Sequence, residues 1–295
     1  MQSSGDRYSS EINRSTRQAN SIQLLFQEPL CHLPRKHTPS VAFLYYNLST
    51  ATLAILSAAT LAIFKMPFVV LPALVEDIER IYDIQFAAFK DEPIMRFLYP
   101  NGVDRKLHTE GTHEWWKQDQ IGHPVKCVDT ETGEIVGMAV WDIFWRPGEE
   151  HAFQKPEGIP WLTGDDKKKC ERILMPMWDM RVQLFGKRRY IYLSTIAVDP
   201  NRQRQGIGRA LMQWGADVAD QLELPIYTEA SDTGFSLYAN VGFERLTHVS
   251  IVHSAEARGK DEAAEVPLVV RMPKVAGGIN FKEWSEAGFP EDFKL

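Results

Sequence analysis

Cysteine is scarce in this chain of 295 residues. The three cysteines, Cys31, Cys127 and Cys170, are odd in number and widely spaced, which predicts neither a disulfide framework nor a zinc-binding pattern. The eight histidines do not include the H-E-x-x-H pair that is typical of zinc peptidases. We therefore expect reduced, structural thiols, histidines scattered over the surface and core, and no metal site.

An excess of positive charge is also missing. The formal net charge is −6 at pH 7 and the sequence pI is about 5.8, so the chain lacks the basic footprint of a nucleic-acid-binding protein. Hydrophobic residues make up 44% and charged residues 24% of the sequence, as in a soluble enzyme with one sizeable core. The composition predicts one catalytic domain with extensions and no nucleic-acid partner.

Residues 1–65 lack the pattern of a folded domain. Residues 1–40 are rich in serine and end in a basic, proline-containing stretch, which predicts a disordered leader. Residues 41–64 form a run of 24 positions without a charge, long enough to span a bilayer. Polar residues within it lower its hydropathy, and its basic flank is N-terminal, which would place the catalytic part in the lumen. Three interpretations of this segment remain open: a signal-anchor, an apolar helix packed on the domain, and translated sequence upstream of a start at Met66.

A strand, a glycine-containing loop and a helix follow one another from Leu193. Residues 193–198 are apolar and rich in β-branched side chains, and Asp199-Pro200 ends this predicted strand. In the loop, Gly206 and Gly208 lack the Cβ atoms that would keep an anion away from backbone N–H groups. Apolar residues at helical spacing then predict an amphipathic helix that begins at the loop: Ile207, Leu211, Trp214, Val218 and Leu222.

This arrangement favours a phosphate-binding loop at a helix N-terminus, where free N–H groups and the helix dipole attract anions. Arg202, Arg204 and Arg209 add positive charge. A dinucleotide fingerprint would need a third glycine where Leu211 stands, and a P-loop would need Gly-Lys-Ser/Thr, which the sequence lacks. Taken alone, the two glycines also fit a tight strand-to-helix turn.

The next segments identify a family. Residues 224–231 predict a second strand, and residues 234–243 predict a short helix closed by a glycine. Together with the loop they resemble the GNAT superfamily of N-acetyltransferases. In that family a Q/R-x-x-G-x-G/A loop, matched by Gln203 to Gly208, holds the pyrophosphate of coenzyme A. A tyrosine in an L-Y-x-x-x-G-F segment, matched by Leu237 to Phe243, lies near the thioester sulfur.

The resemblance implies acetyl-CoA as co-substrate, no metal, and transfer of the acetyl group to an amine. It implies that Tyr238 protonates the departing thiolate, and that the coenzyme strand splays from its neighbour so that its backbone pairs with the pantetheine arm. Many relatives have an asparagine shortly after the second strand, where this chain has Ser231-Asp232-Thr233. The implied coenzyme-binding residues are Ile196, Val198, Gln203, Arg204, Gln205, Gly206, Ile207, Gly208 and Arg209.

Aminolysis also needs a base, because an amine is protonated at neutral pH and must lose a proton before it attacks. Glu229, on the second strand, is the best carboxylate candidate for a base or a water-relay anchor, and Asp142 is the alternative. The acceptor is a small-molecule amine or a peptide or protein amine, and the expected location is the cytoplasm or nucleus. Two other classes stay open: an acetyl-CoA-binding sensor or scaffold, and a membrane-tethered interaction protein.

The fold class that follows is α/β (α+β), with a GNAT-like, mixed and mostly antiparallel sheet flanked by helices. We expect the domain over residues 66–274, a tail over 275–295, and an insertion over 146–189 whose helix breaks at Pro176. Residues 244–253 and 266–272 predict the final strands, and residues 255–265 a charged, solvated loop. The insertion is expected to cover the acceptor pocket or to pack an extra layer, with three tryptophans: Trp145, Trp161 and Trp178.

Overall fold

A seven-stranded sheet forms the centre of the part of the protein that the computed structural model describes, which is residues 67–231, 234–258 and 260–294. The predicted leader over residues 1–65, the apolar run over 41–64 and Met66 lie outside these residues. No helix within the described ranges is long and apolar enough to cross a membrane. The described strands are β1 (Phe68–Pro72), β2 (Gly122–Asp129), β3 (Ile135–Phe144), β4 (Tyr190–Val198), β5 (Ile226–Glu229), β6 (Glu244–Arg245), β7 (Ile251–His253), β8 (Ala264–Val266) and β9 (Leu268–Arg271).

The main sheet has the order β1-β2-β3-β4-β5-β9-β6, and β7 pairs with β8 in a separate two-stranded ribbon. Every pairing in the main sheet is antiparallel except that of β4 with β5. The predicted fold class, a mixed and mostly antiparallel sheet flanked by helices, is therefore confirmed.

Helices cover both faces of this sheet. Side chains cap the starts of two of them: Asp104 accepts a hydrogen bond from the N–H of Leu107, and Asn280 and Glu283 form a capping box. The described α-helices are α1 (Ile78–Ala88), α2 (Pro93–Leu98), α3 (Arg105–Gln118), α4 (Gly164–Phe185), α5 (Ile207–Leu222), α6 (Phe235–Ala239), α7 (Ala255–Arg258) and α8 (Phe281–Glu286).

The first face of the sheet packs against α5 at very short range. A Cβ atom on Gly215 of α5 would lie 2.3 Å from the ring of Trp141 on β3, and one on Gly137 of β3 would lie 2.7 Å from Ile207. Only glycine at these two positions allows the helix and sheet to approach so closely. This contact fixes the start of α5 against the sheet.

The second face packs against α1 and α4. Met138, Val140 and Ala197 contact an isoleucine-rich side of α1. The ring of Phe185 on α4 stacks on Tyr190 with 4.1 Å between ring centroids. Because side chains alternate along a strand, Tyr190 and Tyr192 of β4 face α4, whereas Ile191 and Leu193 face α5.

Pro176 does not break the helix in the insertion, contrary to the expectation. The helix α4 runs without interruption from Gly164 to Phe185. Proline removes one backbone hydrogen bond, but buried residues on both sides of it, including Ile173 and Leu184, hold the two halves of the helix against the protein. Tertiary packing therefore outweighs the local penalty.

The C-terminal part of the chain also differs from the expectation. The single strand predicted over residues 244–253 is divided between β6 and β7, which belong to different sheets, and the charged segment 255–265 contains α7 and the start of β8. The tail expected over 275–295 joins the core, because Phe281, Trp284 and Phe293 are buried among the residues that pack on β9. Apolar residues spaced along this segment were the signal for that packing.

Candidate functional site

A gap opens between β4 and β5 in the middle of the sheet. The two strands pair at only two positions, Ile191 with Ile226 and Tyr192 with Tyr227. Beyond them the hydroxyl of Thr228 donates a hydrogen bond of 2.8 Å to the carbonyl oxygen of Leu193, in place of a strand-to-strand bond. No described strand pairs with residues 194–198 on this side. Backbone groups of β4 are therefore available to a ligand in the gap.

A bulge in β4 accompanies the gap. In the pairing with β3, Trp141 faces Leu193 and Val140 faces Thr195, so Ser194 is an extra residue without a partner in the ladder. A bulge bends its strand and increases the local twist. This bend turns the last part of β4 away from β5.

The two glycines of the loop are required for different reasons. Gly206 has φ of +93°, and an added Cβ atom would meet nothing within 4 Å. Gly208 has an ordinary backbone, but a Cβ atom there would lie 3.3 Å from Leu237 and 3.7 Å from Val198. Gly206 thus provides a left-handed turn beside open space, and Gly208 lets α5 approach α6 and β4.

Ion pairs hold the loop from outside. Asp199 forms an ion pair of 2.7 Å with Arg80 of α1 and accepts a hydrogen bond from the N–H of Asn201. Arg202 pairs with Asp129 at the end of β2. Arg202 therefore has a structural partner. Arg204 and Arg209 are exposed and form no ion pair with any residue in the described ranges, so they can supply charge to a bound anion.

The remaining predicted coenzyme residues surround the same loop. Ile196 and Val198 are partly buried against the core on the α5 side of β4, and Ile207 is fully buried. Gln203 and Gln205 are exposed, and the side-chain oxygen of Gln205 accepts a hydrogen bond of 3.3 Å from Arg202. The first backbone N–H groups of α5 have no partner within the helix. The open space at Gly206, these N–H groups and the free arginines fit the pyrophosphate of a coenzyme.

Glu229 lies at the end of β5 and is turned inward. Its two carboxylate oxygens accept hydrogen bonds of 2.8 Å from the hydroxyls of Tyr192 and Tyr227. Burial raises the pKa of Glu229 above its ordinary value, although the two tyrosines and Arg181 act in the opposite direction. A carboxylate with a raised pKa is a stronger base than an exposed glutamate, as proton transfer from an amine requires.

Sequence analysis missed Arg181, which packs on one of the tyrosines that hold this carboxylate. Arg181 of α4, which is only 4% exposed, has its guanidinium carbon 3.8 Å from the ring centroid of Tyr192 and 3.9 Å from that of Phe153. Its Nε donates a hydrogen bond of 2.6 Å to the hydroxyl of Tyr190. Nothing in the local sequence distinguishes this arginine from the others in the insertion. Its role depends on the packing of α4 under the sheet.

Asp142, the alternative base, is engaged with the same arginine. An oxygen of its carboxylate lies 3.6 Å from Nη2 of Arg181. Burial raises the pKa of Asp142 to about 6, against the effect of Arg181. Asp142 therefore compensates the buried charge of Arg181, whereas Glu229 is held by neutral tyrosines.

Tyr238 lies on the other face of the sheet. It is 7% exposed, belongs to the apolar cluster under α5, and packs on Phe243 with 5.6 Å between ring centroids. Burial, with a smaller contribution from the charge of Glu229, raises its pKa to about 12. A phenol with this pKa keeps its proton at neutral pH and can donate it, but it cannot serve as a base.

The tryptophans of the insertion do not line one pocket. Trp161 is 58% exposed and donates a hydrogen bond of 3.1 Å to the carbonyl of Leu98, and Trp145 is also exposed. Trp178 packs on a small cluster that includes Ile159 and Cys170. Of the two alternatives for the insertion, packing of an extra layer describes Trp178 alone.

A cleft of about 280 Å³ lies beyond the C-terminal end of β5, next to Glu229. One side comes from the start of α2 and the other from the segment β7-α7-β8, which the sequence had predicted to be a solvated face. The lining residues are Glu92, Pro93, Ala230, Ser231, His253, Arg258, Lys260, Ala264, Glu265, Val266 and Pro267.

Comparisons with known proteins agree with this geometry. The family model described as "Acetyltransferase (GNAT) family" matches residues 78–243, more than half of the chain. "Probable acyltransferase SID5" of Ajellomyces capsulatus is 31% identical over 145 residues, which cover 49% of this chain and 99% of that protein. An uncharacterized N-acetyltransferase of Schizosaccharomyces pombe is 29% identical over 227 residues, which cover 69% of this chain and 92% of that protein.

Solved structures show the same fold. An agmatine N-acetyltransferase structure aligns with a TM-score of 0.51 at 16% sequence identity, and the alignment covers 70% of this chain and 98% of that one. At this identity the likeness concerns the fold alone. Together with the matched family model, the glycine loop before α5 and the gap between β4 and β5 lead to one conclusion: this chain belongs to the GNAT family of acetyltransferases.

Proposed function

We propose that this protein transfers an acetyl group from acetyl-CoA directly to an amine. The observation that carries the proposal is the gap between β4 and β5, which has the glycine loop on one face of the sheet and an inward-turned carboxylate on the other. When bound, acetyl-CoA supplies an acetyl thioester. An acetyl group in the gap would be accessible from both faces.

The coenzyme would be held mainly by the backbone. The N–H groups at the start of α5 and the turn at Gly206 would bind the pyrophosphate, with charge from Arg204 and Arg209. The unpaired backbone of β4 around Ile196 and Val198 would bond to the pantetheine arm. These contacts involve only the coenzyme and would be the same for acyl groups other than acetyl. The choice of acetyl is therefore part of the proposal.

The two candidate catalytic side chains divide the proton transfers. Glu229 accepts, directly or through a water molecule, the proton that the amine loses as its nitrogen attacks the carbonyl carbon. A C–N bond forms and the C–S bond breaks. Tyr238 donates its proton to the departing thiolate sulfur and recovers one from solvent. Their positions on opposite faces of the sheet support this division, because the attacking nitrogen and leaving sulfur occupy different sides of the reacting carbon.

The experiment that tests the proposal changes the loop and follows both binding and transfer. Gly206→Asp puts a carboxylate beside the bound pyrophosphate. Two like charges about 4 Å apart repel by roughly 4 kcal/mol near a protein surface, so calorimetry should show acetyl-CoA affinity reduced by about 10² or more. Gly102→Asp is the matched control, because Gly102 also has a positive φ of +82° and open space around it.

Transfer is measured in the wild type as release of free thiol in the presence of a library of amines. Thiol release that depends on both acetyl-CoA and an amine, with formation of the acetylated amine, is the expected result. Unchanged acetyl-CoA affinity in a folded Gly206→Asp protein would contradict the binding site. Tight binding without transfer to any small, peptide or protein amine would instead identify a coenzyme-binding sensor or scaffold.

A further inference from the structure

The cleft beside Glu229 has a positively charged wall. Arg258 at the end of α7 and Lys260 shortly after it both line the cleft. One nitrogen of Arg258 donates a hydrogen bond of 2.7 Å to the carbonyl oxygen of Glu262, a neutral group that leaves the guanidinium charge uncompensated. Within the described ranges, neither side chain forms an ion pair. The cleft therefore offers two cations to a ligand.

The carboxylates that line the cleft form no ion pair with Arg258 or Lys260 within the described ranges. Glu265 is already engaged with Arg245, with 3.1 Å between Nη2 and the carboxylate oxygen. Glu92 lies on the other side of the cleft, at the start of α2. Glu92 thus gives the cleft an acidic side, and Arg258 and Lys260 give it a basic side.

His253 provides a third polar group on the basic side. Its Nε2 is buried and has no hydrogen-bond partner in the described ranges, although the side chain lines the cleft. Burial lowers the pKa of His253, a hydrogen bond with the backbone of Ile173 acts in the opposite direction, and the charge of Arg258 lowers the pKa further, so the ring is neutral at neutral pH. An unpaired buried nitrogen costs stability, and a ligand oxygen would remove that cost.

We propose that this cleft binds the carboxylate of the acceptor through Arg258, Lys260 and His253, so that the acceptor is an amino acid or another small amino carboxylate. The inference rests on the proposed transferase function and names the substrate class of that site. An amine end directed towards Glu92, with a carboxylate end at Arg258, matches the distribution of charge in the cleft. The volume of about 280 Å³ suits a small molecule or one end of a larger one.

Pairs of acceptors that differ only in the carboxylate test the proposal. Arginine is compared with agmatine, lysine with cadaverine and tyrosine with tyramine, each with acetyl-CoA and the full chain. We expect kcat/KM to be at least tenfold higher for a carboxylate-bearing member. Breaking a charge pair in a binding site costs about 2–5 kcal/mol, so Arg258→Met should raise KM for that acceptor by about 30-fold or more. The matched control is Lys106→Met, on the exposed side of α3.

Lys260→Met guards against a folding defect, because Lys260 is exposed and its ammonium forms no hydrogen bond with the described residues. It should raise KM for the amino acid as well, while neither variant should lower kcat/KM for the decarboxylated amine, which has no carboxylate for these residues to bind. Arg258→Lys should restore part of the lost affinity. An effect of equal size on both members of a pair would overturn the assignment of these residues to the carboxylate.

A binding experiment separates failure of the subsite from failure of the proposed function. Calorimetry with the full chain saturated with coenzyme A compares Nε-acetyllysine with N-acetylcadaverine, and the N-acetyl derivatives of tyrosine and tyramine, without any turnover. Tighter binding of the carboxylate-bearing compounds supports the subsite. Equal or weaker binding overturns it, even if tyramine, cadaverine or agmatine is acetylated and the transferase function stands. Absence of coenzyme A binding would overturn both.

Discussion

The two faces of the main sheet are built by different means. On the face covered by α5, close contact is achieved with glycines, Trp141 and aliphatic side chains, and the glycine loop follows directly from that contact. On the face covered by α4, the sheet buries the charged pair of Arg181 and Asp142 beneath Tyr192 and Glu229. The first face resembles an ordinary protein core, and the second does not.

Burial of a charged pair rarely adds stability, because desolvation offsets most of the attraction between the charges. Arg181 and Asp142 therefore need another explanation, and the proposed role of Glu229 as a base would supply it. The arginine stacks on Tyr192, and Tyr192 fixes one carboxylate oxygen of Glu229. Under the proposed function, the α5 face would position the coenzyme, and the α4 face would position the base and tune its pKa.

The largest expected effects come from the two proposed catalytic side chains. Tyr238→Phe keeps the ring that packs on Phe243 and removes only the hydroxyl. Turnover should fall by about 10²–10⁴, the range for general acid catalysis, while acetyl-CoA affinity stays at the wild-type value. Single-turnover kinetics with an amine identified by thiol release are needed, because slow product release would hide the loss. Tyr99→Phe, another tyrosine with a raised pKa, serves as the control.

Wild-type single-turnover rates in Tyr238→Phe would show that the α5 face contributes no proton donor. Water or another group would then have to protonate the thiolate. The proposed assignment of the acid to the α5 face would then be wrong.

Glu229→Gln tests the base on the α4 face. The substitution preserves the shape of the side chain and removes its ability to take a proton, so turnover should again fall by about 10²–10⁴. Asp142→Asn is the informative comparison, since it changes a carboxylate on the same face that contacts Arg181. A larger loss of turnover in Asp142→Asn than in Glu229→Gln, in folded proteins, would make Asp142 the base.

Asp220→Asn probes an ion pair at the end of α5. Asp220 accepts two hydrogen bonds of 2.9 Å from Arg271 and forms an ion pair of 3.0 Å with Lys274. These partners, against the effect of burial, lower the pKa of Asp220 from 3.8 to about 2. The corresponding stabilisation is about 2 kcal/mol, and Asp220→Asn should lower the free energy of unfolding by that amount at pH 7.

The pH dependence of this loss follows from the lowered pKa. The contribution of Asp220 is fully present above about pH 5, where the unfolded chain is also ionised, and it disappears as the pH falls towards 2. Urea unfolding of wild type and variant at several pH values measures the difference, so that other titrating groups cancel. A difference that stays constant between pH 5 and pH 2.5 would contradict the ion-pair explanation.

The smallest effect is expected from Tyr192→Phe, which removes one of the two hydrogen bonds to Glu229. The bond from Tyr192 lowers the pKa of Glu229, so its loss should raise that pKa further. The acid limb of the kcat/KM profile should move to higher pH, and the rate at its optimum should change by no more than about tenfold. If the acid limb of Tyr192→Phe does not move and only the stability changes, Tyr192 has a packing role and does not tune the pKa of Glu229.

Local sequence was sufficient to predict the α5 face. The apolar run at Leu193, the glycines of the loop and the spacing of Leu211 and Trp214 describe neighbouring residues, and the chain folds them as neighbours. Helix α4 was harder to predict, because the penalty of Pro176 is local and the packing that overcomes it is not. The segment 255–265 was predicted to be a solvated loop for the same reason, since its charged residues line a cleft only when the fold brings them beside Glu92 and Ser231.

The sequence by itself determined the family, the glycine loop proposed to bind the coenzyme, and the identity of the candidate acid and base, because these depend on short motifs with fixed spacing. The tertiary structure decided what surrounds Glu229: two tyrosines from adjacent strands, Arg181 from a helix 48 positions earlier in the chain, and a cleft formed by segments from both ends of the domain. The physical reason is that the pKa and contacts of a buried group depend on everything packed around it. Most of that surrounding is distant in sequence.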